Sequence, residues 1–162
     1  MSRAPSVDRY LPSVDVVIAG ESDRIGAVFV LRSDGAALLQ HRDDKPGLRN
    51  GGKWVPPGGH ADAGEPMIEC ARRELREETD YDASDLHLLE SFVDRVDGWP
   101  PYELTIFWCS YDGIQTVVCR EGQALAFIPR SNAQDYPIPA NLINTWDAAL
   151  SAARVRNEHS SR

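Results

Sequence analysis

Short blocks of β-branched and aromatic residues, separated by turns, run through most of the chain. Apolar residues take up helical spacing in two places only. Residues 14–19 (VDVVIA) form one strand-like block and 26–32 (GAVFVLR) a second. Ser33, Asp34 and Gly35 make a turn, and 36–41 (AALLQH) returns, so 26–41 predicts a hairpin. The stretch 43–53 is rich in glycine and charge and predicts a loop; Trp54 and Val55 form a short strand leading into Pro56, Pro57, Gly58 and Gly59. Met67, Cys70, Ala71, Glu74, Leu75 and Glu78 recur at helical spacing, which predicts a helix over 66–79 with Pro66 at its first position.

Beyond that helix, 86–96, 102–111, 116–119 and 124–128 predict further strands, broken by Trp99-Pro100-Pro101 and by Asp112-Gly113. Residues 130–135 predict a helical turn, and 139–155 a closing amphipathic helix with Leu142, Trp146, Ala149 and Leu150 inward. Mixed strands with helices able to cover two faces predict an α/β sandwich. A single domain is expected over 14–156, with flexible segments at 1–13 and 157–162.

Composition narrows the class of function. The formal net charge is −8, so the overall field of the chain does not attract a nucleic-acid polymer. No apolar stretch is long enough for a membrane helix, and residues 1–13 lack the apolar core of a signal peptide; a cytoplasmic protein is expected. Cys70, Cys109 and Cys119 have no CxxC spacing and are expected to be small buried residues rather than disulfide or zinc partners. A phosphate substrate for so acidic a chain needs cations between the two sets of negative charge.

A carboxylate cluster of the required kind lies in the first predicted helix. Glu74, Glu77 and Glu78 are related by i, i+3 and i+4 spacing and share one helix face. Three like charges there destabilise an empty helix, and their hard oxygens suit Mg²⁺, with Mn²⁺ able to substitute. Gly58 and Gly59 precede the helix and let backbone approach a metal or a phosphate, with the Gly59 carbonyl as a candidate ligand. Taken alone, RRELREE also fits a solvated, salt-bridged surface.

The 23 residues from Gly59 to Tyr81 resemble the Nudix box, with Gly59, Glu65, Arg73, Glu74, Leu75, Glu77 and Glu78 in register, seven of nine positions. Chance coincidence of the six fixed Gly, Glu and Arg positions is on the order of 10⁻⁷ per start site. Asp80 stands where the family has Gly, and Tyr81 where it has a bulky aliphatic residue. That Gly position commonly needs a left-handed backbone, which Asp tolerates at a cost of about 1 kcal/mol.

The resemblance implies a Nudix-type α/β/α sandwich with a mixed sheet. It also implies a metal-dependent hydrolase that cleaves a diphosphate linkage in a nucleoside-diphosphate-linked substrate. Gly59, Glu74, Glu77 and Glu78 are the implied metal ligands, and Arg73 and Glu65 the residues that orient the loop and the helix. Several family members carry a further carboxylate about 40 residues past the box; Glu121 is the candidate here, against the alternative of a charged turn residue. Glu121 and Glu74 both remain candidates for the general base, with Glu121 slightly favoured because cations lower the pKa of a ligating Glu. Pro139-Ala140-Asn141 resembles the Pro-Ala-Asn of MutT-type 8-oxo-dGTP diphosphatases, whose Asn reads the base; Asn141 equally fits a helix N-cap. Trp99 is a further candidate for stacking on a base, while Trp54, His41 and His60 are expected to be structural or surface residues.

Pro or Tyr markers of ADP-ribose and diadenosine-polyphosphate enzymes are absent from Val96, Asp97 and Gly98, as is the NADH-type signature. A nucleoside triphosphate, oxidised or not, or a nucleotide sugar is therefore expected. The competing reading is a Nudix-fold module that senses a nucleotide without hydrolysing it; homodimerisation is left open.

Overall fold

The structure is a computed structural model that describes residues 23–95 and 97–161. The predicted strand over 14–19 and the predicted lead-in over 1–13 lie outside those residues. The strands are β1 (Arg24–Leu31), β2 (Ala37–His41), β3 (Trp54–Val55), β4 (Gly58–His60), β5 (His87–Asp94), β6 (Tyr102–Ser110) and β7 (Ala124–Ile128), and all but β4 fall on predicted strands. Helix α1 (Met67–Thr79) follows β4, and α2 (Ala140–Ser160) closes the described chain after a short 3₁₀ helix at Arg130–Asp135.

The described strands form one mixed seven-stranded sheet. β1 runs parallel to β6 along its whole length, from Arg24 beside Glu103 to Leu31 beside Ser110. Its other edge is shared: the first half pairs antiparallel with β4, and the end turns into β2. β2 pairs with β7 and, at Gln40 and His41, with β3. β1 and β2 therefore separate after the hairpin turn, and the space between them opens toward the start of β1.

Alternation along β1 supplies both faces of the sheet. Val28 and Val30 point into a core with Leu38, Phe107 and the α1 residues Ala71 and Leu75. Ala27, Phe29 and Leu31 point the other way, into a core with Leu39, Ile106 and the α2 residues Leu142, Trp146 and Ala149. One helix thus covers each face, and the architecture is the α/β/α sandwich expected from the sequence.

Five local expectations are corrected. The block 116–119 is not a strand. Its amides turn to the end of α1, Val118 N–H donating to Thr79 O and Arg120 N–H to Glu78 O, both at 2.9 Å, so no sheet partner is needed. Cys119 is consequently exposed, whereas Cys70 and Cys109 are buried. The helix expected to end near residue 155 continues to Ser160, across residues expected to be flexible. Pro66 and Pro139 each sit one residue before their helices with extended backbone, and their carbonyls accept the first helical hydrogen bonds; Asn141 is therefore not the N-cap of α2.

Candidate active site

Helix α1 carries the acidic cluster, and its rotation sorts the three glutamates. Glu74 and Glu78, one turn apart, turn toward the sheet: the Glu74 side chain is 15% exposed and the Glu78 residue 4%. The Glu77 side chain is 58% exposed and lies toward Arg73. Shared spacing thus places Glu77 beside the cluster rather than inside the cleft.

Glu78 is held from two directions. Its Oε1 accepts the Gly58 N–H at 3.1 Å and the Gln40 side-chain N–H at 3.2 Å. Burial, with Glu121 and Glu74 nearby, pushes its carboxyl up to about 8. Burial also raises Glu74, helped by Glu77 and Glu121 and opposed by Arg73. That Glu121 acts on both carboxyls places it at the cluster although it is exposed and comes from a distant loop.

Gly58 and Gly59 let three elements converge. A Cβ on Gly58 would collide with the Gly26 carbonyl across the β1–β4 pair, and one on Gly59 would fall on the Glu74 carboxylate. The Gly59 carbonyl accepts the Cys70 thiol at 3.3 Å. Arg73 fixes the loop leading into α1. Its Nε and Nη2 hold both oxygens of Glu65 at 2.9 Å, Nη2 reaches His60 O at 3.1 Å, and Nη1 reaches Glu74 Oε2 at 2.8 Å. The Arg73 bonds keep the Glu65 carboxyl well below its usual range.

The glycines, Glu74, Glu78 and Glu121 border one cleft of about 260 Å³. At one end stand Gly58, Gly59, Glu74, Glu78 and Glu121; toward the other stand Arg42, Arg49, Asn50, Asp94, Tyr102 and Leu142. The Arg49 guanidinium lies 3.7 Å over the Tyr102 ring and donates to Pro100 O at 2.7 Å and Asp94 O at 2.9 Å. Asn141 lies just behind the cleft wall, its Nδ2 donating to Asp94 Oδ1 at 3.2 Å. Trp99 is 37% exposed and is not among the cleft-lining residues; Glu77 and Arg73 are not either.

Arg42, Arg49, Asp94 and Tyr102 carry no motif, and sequence reasoning did not select them. Gln40 did leave a signal. It is a polar residue on the same strand face as buried Leu38, and a buried amide there needs a partner, which proves to be Glu78. His60, expected to be structural or superficial, lines the cleft. Trp54 packs against the core and stacks on His41 at 4.7 Å.

Among the described residues no three acidic, histidine or cysteine side chains converge into a ready cage for an ion. Glu74 is turned to Arg73, and Glu78 to Gly58 and Gln40. The donor chemistry still fits a divalent cation. Three carboxylates from two chain segments, two of them raised by burial and mutual repulsion, gather where only glycine backbone fits.

The NUDIX domain model matches residues 21–145, and the chain belongs to that family. It is 32% identical over 81 residues to the asymmetrical bis(5'-nucleosyl)-tetraphosphatase of Sus scrofa, a match covering 46% of this chain and 54% of that protein. The chain thus spans about half the length of this curated relative. A Caenorhabditis elegans Ap4A hydrolase binary complex superposes with a TM-score of 0.66 at 20% identity, covering 82% of this chain and 97% of that one. The NUDIX domain of Shewanella oneidensis NrtR, complexed with ADP ribose, gives a TM-score of 0.69 at 17% identity, covering 94% and 99%. Among the described residues no helix is long and apolar enough to cross a membrane.

Proposed function

We propose that the protein hydrolyses a diphosphate linkage in a nucleoside-diphosphate-linked substrate, a nucleoside triphosphate or a nucleotide sugar. One observation carries this reading: Glu74, Glu78 and Glu121 stand with Gly58 and Gly59 at one end of a cleft whose other end is built for a flat, polar group. Glu74, Glu77, Glu78 and the Gly59 carbonyl would hold the divalent ion that family members generally use, with Mg²⁺ the ion that hard oxygen donors favour. When bound, such an ion neutralises the diphosphate and polarises its phosphoryl oxygens.

The remaining work falls to the chain. Arg73 keeps Glu74 and the β4–α1 loop in place. Glu121 takes a proton from the attacking water as its oxygen bonds to phosphorus; the anhydride P–O bond breaks and the leaving phosphate departs with the electron pair. Arg42 offsets negative charge at the cleft, and Tyr102, stacked by Arg49, offers a face to the nucleoside. Asp94, with Asn141 behind it, offers an acceptor to a base N–H.

A second substrate reading has its own support. The pig relative is a dinucleoside tetraphosphatase, and a smaller recess lined by Arg42, Lys45, Leu48, Glu121 and Gly122 flanks Glu121 on its other side. Two recesses around one carboxylate suit a substrate with a nucleoside at each end. The test is a panel of nucleoside triphosphates, nucleotide sugars and dinucleoside polyphosphates, incubated with Mg²⁺ and read by mass spectrometry. Preferential turnover of nucleoside triphosphates or nucleotide sugars to a nucleoside monophosphate supports the first reading, and preferential turnover of dinucleoside polyphosphates the second. Nucleotide binding without turnover overturns both.

A further inference from the structure

The structure assigns a positioning role to Asp80: paired with Arg120, it holds Glu121 over the carboxylate cluster, an inference that rests on Glu121 being the proposed base. Asp80 ends α1 in the left-handed conformation, with φ 66° and ψ 2°. Glycine fits that backbone without strain. The carboxylate of Asp80, however, receives both arms of Arg120, Nε on Oδ1 and Nη2 on Oδ2, each at 2.9 Å. Parallel contacts of this type are the strong form of an arginine–carboxylate pair.

Glu121 needs such a hold. Among the described residues its carboxylate accepts no hydrogen bond, so its backbone alone sets where it stands. Without a bound cation Glu74, and Glu78 where it is ionised, repel it, which favours the loop swinging outward. Two anchors oppose that swing. On one side Arg120 is tied to α1, by its side chain to Asp80 and by its N–H to Glu78 O. On the other, Gln123 donates its N–H to His41 O at 2.8 Å and its side-chain amide to Arg42 O at 2.9 Å. Between Glu121 and Gln123, Gly122 adopts φ 84° so close to His41 O that a Cβ would collide. Glu121 is the middle of a bridge from helix to strand, touched there only at its carbonyl by the Cys119 thiol at 3.4 Å among the described residues, and Asp80 fixes the helix end.

The test separates this hold from general stability. Asp80→Gly removes the pair while relieving the left-handed backbone, so the melting temperature without metal should stay level or rise. The Val118 and Arg120 amides should exchange about tenfold faster, with core strand amides unchanged. With saturating Mg²⁺, Asp80→Gly and Arg120→Gln should each lower kcat about 3- to 10-fold with KM nearly constant. The double variant should be no worse than the poorer single, because both remove one interaction. Unchanged exchange at 118 and 120, unchanged kcat, or losses that add would overturn the role of Asp80. Glu121→Gln at wild-type activity would instead overturn the reading of Glu121 as base, while the exchange result still decides the anchor.

Discussion

Glu78 concentrates the electrostatic cost of the site. Its carboxyl is buried beside two others, and its neutral form is favoured in the folded chain without metal. An acid whose folded pKa is raised binds more protons folded than unfolded between the two values, so stability falls as pH rises. The window runs from the ordinary carboxylate range near 4.5 up to about 8. In EDTA the wild-type melting temperature should therefore fall as pH rises from 5 to 8. Glu78→Gln keeps an acceptor for Gly58 and Gln40, so its unfolding free energy at pH 8 should be higher, by a few kcal/mol at most, and the added slope of melting temperature against pH should disappear. A wild-type slope that survives the substitution would show that Glu78 is not its source. Asp80 illustrates what residue reading can reach: its left-handed φ was legible from its place at the helix end, but its partner was not, because Arg120 lies 40 positions away.

At the scale of elements, α1 and the loop before it work as one part, and Arg73 joins them. Its planar fork meets Glu65, Glu74 and the His60 carbonyl together. A lysine cannot make that set of contacts. Arg73→Lys should cost about 1–3 kcal/mol in denaturant unfolding and lower kcat more than it raises KM, because Glu74 loses its brace. Equal effects on kcat and KM would place Arg73 outside the reacting end of the cleft. Helix α1 and the hairpin were legible because their apolar periods are clean and their breakers sit at the ends. Residues 116–119 misled because β-branched residues favour strands, while the Val118 amide finds a helix carbonyl instead of a strand.

The whole molecule explains why the cleft exists. β1 shares one edge between β4 and β2, and the gap where β1 and β2 part is bordered by α1, the 42–50 loop and β6. The two-layered core and its helices followed from alternation and spacing, so the sandwich was legible. The other end of the cleft was not, since Arg49, Tyr102 and Asp94 come from separate segments that only the tertiary fold unites. An ion bound to the folded cluster and not to the unfolded chain stabilises by mass action, about 2.7 kcal/mol at a hundredfold excess over Kd. Mg²⁺ or Mn²⁺ should thus raise the wild-type melting temperature at pH 8 by several degrees. Little or no shift in Glu78→Gln is the matching expectation, and an equal shift in both would place the ion elsewhere.

Glu74, Glu78 and Glu121 are proposed as the reacting end of a diphosphate hydrolase. The most direct measurement is nucleoside monophosphate release from the preferred nucleotide with Mg²⁺, compared between wild type and a folded Glu78→Gln protein. Wild type should release it steadily, with release abolished by EDTA and lowered by at least about 10²-fold in the variant. Release at wild-type rate by Glu78→Gln would contradict this assignment.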